Sequence, residues 1–218
     1  MAQLTSKYQP QTISGFIGLD KPKKILAKFA ANPSEDAYYL YGPSGTGKTT
    51  MALALAKQID AQVLHVPSQR CNVAALEELR SECAYMPMYN KWRLVLIDEA
   101  DSMTEAAKLG FLSLLDATEQ PVKTIFVFTS NEEDLKESDF EKRFLSRLKP
   151  IKFSTYGING EGSALLRRVW QAEGGTGPEP DFKRILNDNG QNIRAGLQAV
   201  ELSLMEGPSA ALRTGGQP

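Results

Sequence analysis

A glycine-rich stretch from Gly42 to Thr50, GPSGTGKTT, constrains the fold more than any other part of the chain. It fits the spacing G-x-x-x-x-G-K-[ST], in which glycines let backbone N–H groups curl around phosphate oxygens. The apolar run DAYYLYG precedes it and the Ala- and Leu-rich segment TTMALALAKQID follows it, which predicts a strand, a phosphate-binding loop and a helix that points its N-terminus at the anion. The residues expected to bind a nucleotide here are Gly42, Pro43, Ser44, Gly45, Thr46, Gly47, Lys48, Thr49 and Thr50.

Further apolar runs alternate with helical patterns up to about Phe153. AQVLHVPS, RLVLIDEAD and KTIFVFTSN are typical of strands, and FLSRLKPIKFS of a helical turn followed by a strand. Because strands alternate with helices, we predict an α/β fold of the phosphate-loop type, with a parallel sheet covered by helices on both faces. Residues 1 to 20 have no clean period and predict an irregular arm.

The composition changes after Phe153, where no further strand pattern occurs. EGSALLRRVWQAE, DFKRILND and QNIRAGLQAVELSLM predict three short helices. We therefore predict a nucleotide-binding α/β domain over residues 1–154, a small all-α lid domain over residues 155–206, and a disordered Gly- and Pro-rich tail over residues 207–218.

The overall charge excludes a uniformly basic nucleic-acid-binding protein. The formal net charge is -1 over 218 residues, so any nucleic-acid surface must be local or assembled from several subunits. Lys21, Lys23, Lys24 and Lys28 form one local basic cluster, which is either a solvated helix face or a DNA contact. The chain has two cysteines without a CxxC pattern, no apolar signal region and no apolar run that could span a bilayer, so we expect a cytoplasmic protein with no membrane partner.

Acidic residues at the end of the run RLVLIDEAD supply the second half of a nucleotide site. Asp98 is expected to hold Mg²⁺ together with the Thr49 hydroxyl, and Lys48 to reach the β and γ phosphates. Glu99 can polarise an attacking water as a general base, which contributes typically ~10²–10⁴-fold in rate. The alternative, a solvated strand end, becomes improbable downstream of a phosphate loop.

A polar strand end follows in FVFTSN, with Thr129, Ser130 and Asn131. If this strand neighbours the one that ends in Asp98, Asn131 lies near the γ-phosphate and can orient the attacking water. An ordinary polar turn remains the alternative.

Taken in order, these motifs resemble those of the AAA+ ATPases, and within them the clamp loader subunits of the replication factor C and bacterial or phage types. SKYQPQTISGFIG resembles the N-terminal box of that family, in which the arm wraps the adenine base. Gln9 replaces the usual arginine. The resemblance implies adenine contacts from Tyr8, Pro10, Ile17 and Gly18.

The same resemblance assigns two arginines. FLSRLKPIKF resembles the family's Ser-Arg-Cys motif, with Ser146 and Arg147 matching, which implies that Arg147 acts in trans as a finger in a neighbouring subunit's site. Such fingers are worth ~10³–10⁵ in rate in GTPases. NGQNIRAGLQAVE resembles the sensor 2 helix, so Arg194 is expected to contact the phosphates of its own subunit. Arg143 is the alternative finger.

The chain also departs from the clamp loader pattern. Leu112 and Ser113 lie where the family's usual arginine pair is found, and the chain stops where a helical collar domain would begin. A compact replication system, a shortened chain or a collar on another polypeptide each fit this expectation.

Three functions follow from the sequence. The first is an ATP- and Mg²⁺-dependent clamp loader-like switch whose partners are other subunits of a homo- or hetero-oligomeric ring, a sliding clamp and primer–template DNA. The second is a protein-remodelling AAA+ machine, which is disfavoured because the interval between the loop and the acids has no aromatic-apolar-Gly triplet. The third is a nucleotide-gated scaffold without hydrolysis, against which Glu99 argues.

Overall fold

A computed structural model describes residues 3–116, 121–132, 139–155, 157–176 and 178–206. They fall into two compact units. The sheet unit runs from Pro10 to Ser154, and the helical unit combines the described residues up to Gln9 with those from Thr155 onward.

The secondary-structure elements alternate through the sheet unit. The strands are β1 (Asp36–Tyr41), β2 (Ala61–Pro67), β3 (Trp92–Asp98), β4 (Thr124–Ser130) and β5 (Lys149–Lys152). The helices, in chain order, are α1 (Leu4–Lys7), α2 (Asp20–Ala31), α3 (Lys48–Gln58), α4 (Val73–Cys83), α5 (Glu105–Leu115), α6 (Asp139–Leu145), α7 (Asn159–Ala172), α8 (Phe182–Asp188) and α9 (Ile193–Glu206). Short 3₁₀ turns lie at Ile13–Gly15, Ser68–Arg70 and Ala100–Ser102.

The described strands form a five-stranded, all-parallel sheet in the order β2-β3-β4-β1-β5. The central strand β4 is buried along its whole length, whereas the edge strands β2 and β5 alternate or are mostly exposed. This is the pattern of a parallel sheet whose two faces are covered by crossover helices. The α/β fold class predicted from the sequence is confirmed.

Each face of the sheet carries its own apolar core, because successive side chains along a strand point to opposite faces. On one face, Leu94 and Leu96 of β3 pack with Leu26 of α2 and Leu55 of α3. On the other face, the core is formed by residues of β3, β4, α4, α5 and α6, among them Val95, Ile97, Phe126, Phe128, Leu79, Phe111 and Phe144. The unbroken apolar runs that predicted buried strands are explained by this double-sided burial.

The topology brings three strand ends together. β4 pairs with β1 on one side and with β3 on the other. In open parallel sheets, ligands bind at the carboxyl ends of the strands where the strand order reverses. The loop after β1 and the polar ends of β3 and β4 therefore share one edge of the sheet.

The N-terminal residues differ from the predicted irregular arm of an α/β domain. Leu4–Lys7 form the single helical turn α1, which is too short to show a period in the sequence. Leu4 and Tyr8 pack with Trp170, Phe182 and other apolar side chains of the helical unit, which is why the residues up to Gln9 group with that unit. The three helices α7, α8 and α9 lie where the sequence predicted helices.

The predicted tail, residues 207–218, lies outside the described residues. Within the described part of the chain, no helix is long and apolar enough to cross a membrane.

Candidate nucleotide-binding site

The loop between β1 and α3 requires glycine at two close approaches. Gly42 has a φ of 139°, and a Cβ there would lie 2.1 Å from the carbonyl oxygen of Phe153. Gly47 has a φ of 90°, and its Cβ would lie 3.0 Å from a ring carbon of Phe16. These glycines let the backbone turn tightly enough to form an anion-binding concavity ahead of the N-terminus of α3.

Lys48 is buried at the start of α3 and folds across the loop. Its Nζ donates to the carbonyl oxygens of Gly42 at 2.9 Å and Pro43 at 2.8 Å. Thr46 Oγ1 also donates to the Pro43 carbonyl, at 2.8 Å. The ammonium group is therefore held within the concavity where the sequence predicted phosphate contacts.

Asp98, at the end of β3, accepts hydrogen bonds from residues of α3 and β4. Thr49 Oγ1 donates to Asp98 Oδ1 at 2.8 Å, and Thr129 Oγ1 makes a second, short hydrogen bond to the same oxygen. Thr129 Oγ1 in turn accepts the backbone N–H of Glu99 at 3.1 Å. The Thr129 hydroxyl thus hydrogen bonds both to the carboxylate of Asp98, the predicted metal ligand, and to the backbone of Glu99, the predicted general base.

Glu99 and Asn131 lie on the exposed side of this cluster. Glu99 adopts a left-handed backbone conformation, with φ 56° and ψ 47°, that is uncommon for a side chain with a Cβ. The backbone N–H of Asn131 donates to Asp101 Oδ1 at 3.1 Å. Since β3 and β4 are paired, the residues that follow them are brought to the same edge. A contact between Asn131 and the attacking water stays a prediction.

Two residues near Asp98 received no functional role from the sequence. His65 Nε2 lies 3.7 Å from Asp98 Oδ2, with about half of the His65 side chain exposed. Thr129 was noted only as part of a polar strand end. Both contacts join residues on different strands, so no local pattern could have identified them.

The donor set fits a magnesium ion. Asp98 and Thr49 present a carboxylate and a hydroxyl oxygen to each other, and Mg²⁺ in nucleotide sites is usually held by one or two protein oxygens with phosphates and water. No group of three or more His, Cys, Asp or Glu side chains that could hold a metal occurs in the described residues.

Arg147 follows α6 and is fixed at two points. Its Nε donates to Asp116 Oδ1 at 2.7 Å and its Nη1 donates to the carbonyl oxygen of Arg143 at 3.0 Å. Ser146 Oγ donates to the same carbonyl at 2.8 Å. The Arg143 side chain is exposed, so the choice between the two arginines as finger stays open.

The remaining predicted nucleotide contacts divide between the two units. Pro10, Ile17 and Gly18 belong to the sheet unit, where Gly18 has a φ of 58° just before α2. Tyr8 and Arg194 belong to the helical unit, and Arg194 is exposed on α9. An adenine contact from these residues stays a prediction.

Tyr8 is engaged within the helical unit. Its hydroxyl donates to Glu173 Oε1 at 2.5 Å, and Lys7 Nζ donates to the same oxygen at 2.7 Å. The hydrogen bond to Glu173 raises the pKa of Tyr8, and the hydrogen bonds from Lys7 and Tyr8 lower the pKa of Glu173. Lys7 and Tyr8 thus hydrogen bond to Glu173, the residue that follows α7.

Comparison with known proteins identifies a family for the sheet unit. Residues 38–150, about half of the chain, match the profile of the ATPase family associated with various cellular activities (AAA). This segment contains the phosphate loop, Asp98, Glu99 and Asn131.

Curated relatives carry the replication factor C name. The replication factor C large subunit of Methanosarcina mazei is 31% identical over 218 residues, which cover 90% of this chain and 35% of that protein. Replication factor C small subunit 2 of Pyrobaculum aerophilum is 29% identical over 205 residues, 90% of this chain and 62% of that protein. The chain therefore spans between about a third and two thirds of the length of these relatives, and the predicted resemblance to clamp loader subunits is confirmed at the level of sequence similarity.

A solved structure shares the fold. The RuvB Holliday junction branch migration motor of Thermotoga maritima superposes with a TM-score of 0.72 over 92% of this chain and 68% of that one, at 16% identity. Identity at that level supports the fold alone. With the profile match, the phosphate loop and the acids at the neighbouring strand end, the chain belongs to the AAA family and is an ATPase.

Proposed function

We propose that this chain hydrolyses ATP with Mg²⁺ as one subunit of a clamp loader-like ring that places a sliding clamp on primer–template DNA. The observation that carries the hydrolysis is the cluster at Asp98, where Thr49 and Thr129 hydrogen bond to one carboxylate oxygen and Glu99 follows directly. A protein that only binds nucleotide has no need of a carboxylate held beside the metal ligand. The similarity to replication factor C subunits supports the clamp-loading part.

The loop residues bind the phosphates. Lys48 Nζ, now donating to two loop carbonyls, exchanges those acceptors for β- and γ-phosphate oxygens, and the backbone N–H groups at the start of α3 face the same anion. Asp98 and Thr49 hold Mg²⁺, which when bound neutralises phosphate charge.

Glu99 acts on the attacking water. The carboxylate takes a proton from the water as the oxygen approaches the γ-phosphorus, and Asn131 orients the same water by hydrogen bonding. The hydrogen bond from the Glu99 N–H to Thr129 fixes the backbone from which the carboxylate extends. The left-handed conformation of Glu99 is therefore maintained at the position where the base is needed.

A neighbouring subunit completes the site. Arg147, only partly exposed and held by Asp116, contributes a guanidinium that stabilises the charge on the transferring phosphoryl group. Hydrolysis is then slow in an isolated subunit and fast in the ring. The ATP-bound and ADP-bound states differ in their affinity for the partners, and this difference drives the change between binding and release.

A protein partner has a candidate contact in the segment between α4 and β3. Tyr85, Met86, Met88 and Tyr89 are 76%, 63%, 83% and 90% exposed. The base of this segment is fixed, because Arg93, which is buried, donates from Nη1 to the Tyr85 carbonyl at 2.9 Å. Exposed apolar clusters mark protein contacts, and methionines adapt to a partner's surface. We assign this segment to the sliding clamp.

The experiment that tests the function is the ATPase rate per subunit against protein concentration, with and without primer–template DNA. We expect the rate to rise with both and to collapse in Arg147→Ala. Arg143→Ala tests the alternative finger: it removes the exposed guanidinium of the other candidate, keeps the carbonyl that Arg147 contacts, and should leave the rate unchanged. An ATPase rate that changes neither with protein concentration nor with DNA, and that Arg147→Ala does not alter, would refute the ring with a finger in trans.

The clamp assignment is tested separately. Met88→Ser with Tyr89→Ser should weaken binding to the sliding clamp at least tenfold, on the order of what losing one or two buried anchors costs. The same variant should keep the DNA-stimulated rate measured without the clamp. Clamp affinity equal to that of the unchanged chain would exclude this segment as the contact.

A further inference from the structure

Two groups from different helices fix the guanidinium of Arg147. Asp116 directly follows α5 and accepts from Nε at 2.7 Å, and the carbonyl of Arg143 in α6 accepts from Nη1 at 3.0 Å. Among the hydrogen bonds of the described residues, none involves Nη2 of Arg147. One terminal nitrogen is therefore left for a ligand while the rest of the group is immobilised.

The helices that carry these two groups are anchored to the same side chain of the sheet. Phe111 of α5 and Phe144 of α6 pack edge-to-face on Phe128 of β4, with ring centroids 5.2 and 5.3 Å apart. All three rings are almost fully buried. Close-packed aromatic contacts of this kind hold the two helices in a defined relation.

The Asp116–Arg147 ion pair is too exposed to contribute much to the stability of the fold, so another role must account for it. The side chains of Arg147 and Asp116 are 29% and 46% exposed, and ion pairs at the surface contribute little to the free energy of unfolding. What the two contacts do restrict is the rotamer freedom of a long side chain, and that freedom must be lost whenever arginine reaches a phosphoryl group.

We propose that Asp116 is a positioning residue for hydrolysis in the neighbouring subunit: it holds Arg147 with Nη2 available for the neighbour's γ-phosphate. The inference rests on the proposed function, in which Arg147 acts in trans. Asp116 acts only through Arg147, from whose Nε it accepts a hydrogen bond. Its removal therefore lowers kcat at the neighbouring site and leaves KM for ATP unchanged.

The test mixes two variants of the full chain. The donor chain carries Glu99→Gln, so it keeps Arg147 and cannot hydrolyse ATP itself. The receiver chain carries Arg147→Ala, so it keeps its own catalytic site and offers no finger. Hydrolysis in the mixture then reports only the donor's Arg147 acting on the receiver's site.

Asp116→Ala is then introduced into one chain at a time. In the donor it should lower kcat of the mixture by about 10- to 100-fold, the scale of a misplacement of roughly 1 Å in a catalytic group. In the receiver it should have no effect. The matched control is Glu179→Ala in the donor, which removes a carboxylate of similar exposure from an ion pair with Arg167 at 3.0 Å and should not change kcat.

The outcomes separate the two proposals. If the mixture hydrolyses no more ATP than either chain alone, the finger in trans is refuted, and the role of Asp116 with it. If the mixture is active, and Asp116→Ala in the donor changes nothing or lowers kcat equally in either chain, only the positioning role is overturned.

Discussion

Replacing Thr129 by valine removes one hydroxyl from the centre of the site while keeping the shape of the side chain. Thr129 is 2% exposed, and its Oγ1 makes two hydrogen bonds, one donated to Asp98 and one accepted from the Glu99 N–H. The first involves a charged acceptor and is worth about 1.5–3 kcal/mol. The second is an ordinary bond worth about 0.5–1.5 kcal/mol.

The free energy of unfolding of Thr129→Val should therefore fall by about 2–4.5 kcal/mol, a large part of the ~5–15 kcal/mol typical of a protein. Catalysis should suffer as well. Asp98 keeps its bond from Thr49, but the backbone N–H of Glu99 loses its partner, and a shift of roughly 1 Å in the base costs about 10²-fold in rate. We expect kcat to fall by about 10- to 100-fold with little change in KM for ATP.

Urea unfolding and steady-state ATP hydrolysis measure the two effects. Thr124→Val is the matched control, because Thr124 is also a fully buried threonine of β4 and its hydroxyl donates to the neutral Val122 carbonyl at 3.2 Å rather than to a carboxylate. Thr124→Val should lower the free energy of unfolding by about 0.5–1.5 kcal/mol and leave kcat unchanged. If the two variants behave alike in both assays, the Thr129 hydroxyl does not organise the site.

Two further predictions concern the loop and the arm. Gly42→Ala should abolish ATP binding, measured by titration with a fluorescent ATP analogue, because its Cβ would lie 2.1 Å from the Phe153 carbonyl oxygen and the loop must shift; unchanged affinity would contradict this. Glu173→Gln should lower the melting temperature at neutral pH by weakening the contacts of Lys7 and Tyr8. Hydrogen bonds from Lys7 and Tyr8 lower the pKa of Glu173 from its ordinary 4.5, so its stabilisation is present above that pH and is lost as the pH falls. The pKa of Lys7 is raised above 10.5, mainly by its hydrogen bond to Glu173, so its stabilisation is lost at still higher pH. The difference in melting temperature between Glu173→Gln and the unchanged chain should decrease as the pH falls below about 4.5. A difference that stays constant there would argue against the ion pair.

The identity of the core elements could be predicted from local pattern. Strands such as β3 and β4 are unbroken apolar runs, and α3 follows the phosphate loop directly. In a parallel sheet both faces are buried, so continuous apolar runs and turn residues are sufficient to locate the strands. The single turn α1 escaped the prediction because four residues cannot display a helical period.

The sequence by itself determined the phosphate loop and the acids of the site, because these residues are contiguous and their chemistry depends on short spacing. Lys48, Asp98 and Glu99 could each be named from a motif. Their neighbours could not, since Thr129 and Asp98 lie 31 positions apart along the chain, as do Arg147 and Asp116. Only the strand order and the packing of α5 and α6 on β4 bring those pairs within hydrogen-bond distance. Contacts between distant segments depend on how whole elements pack, and no local periodicity encodes that arrangement.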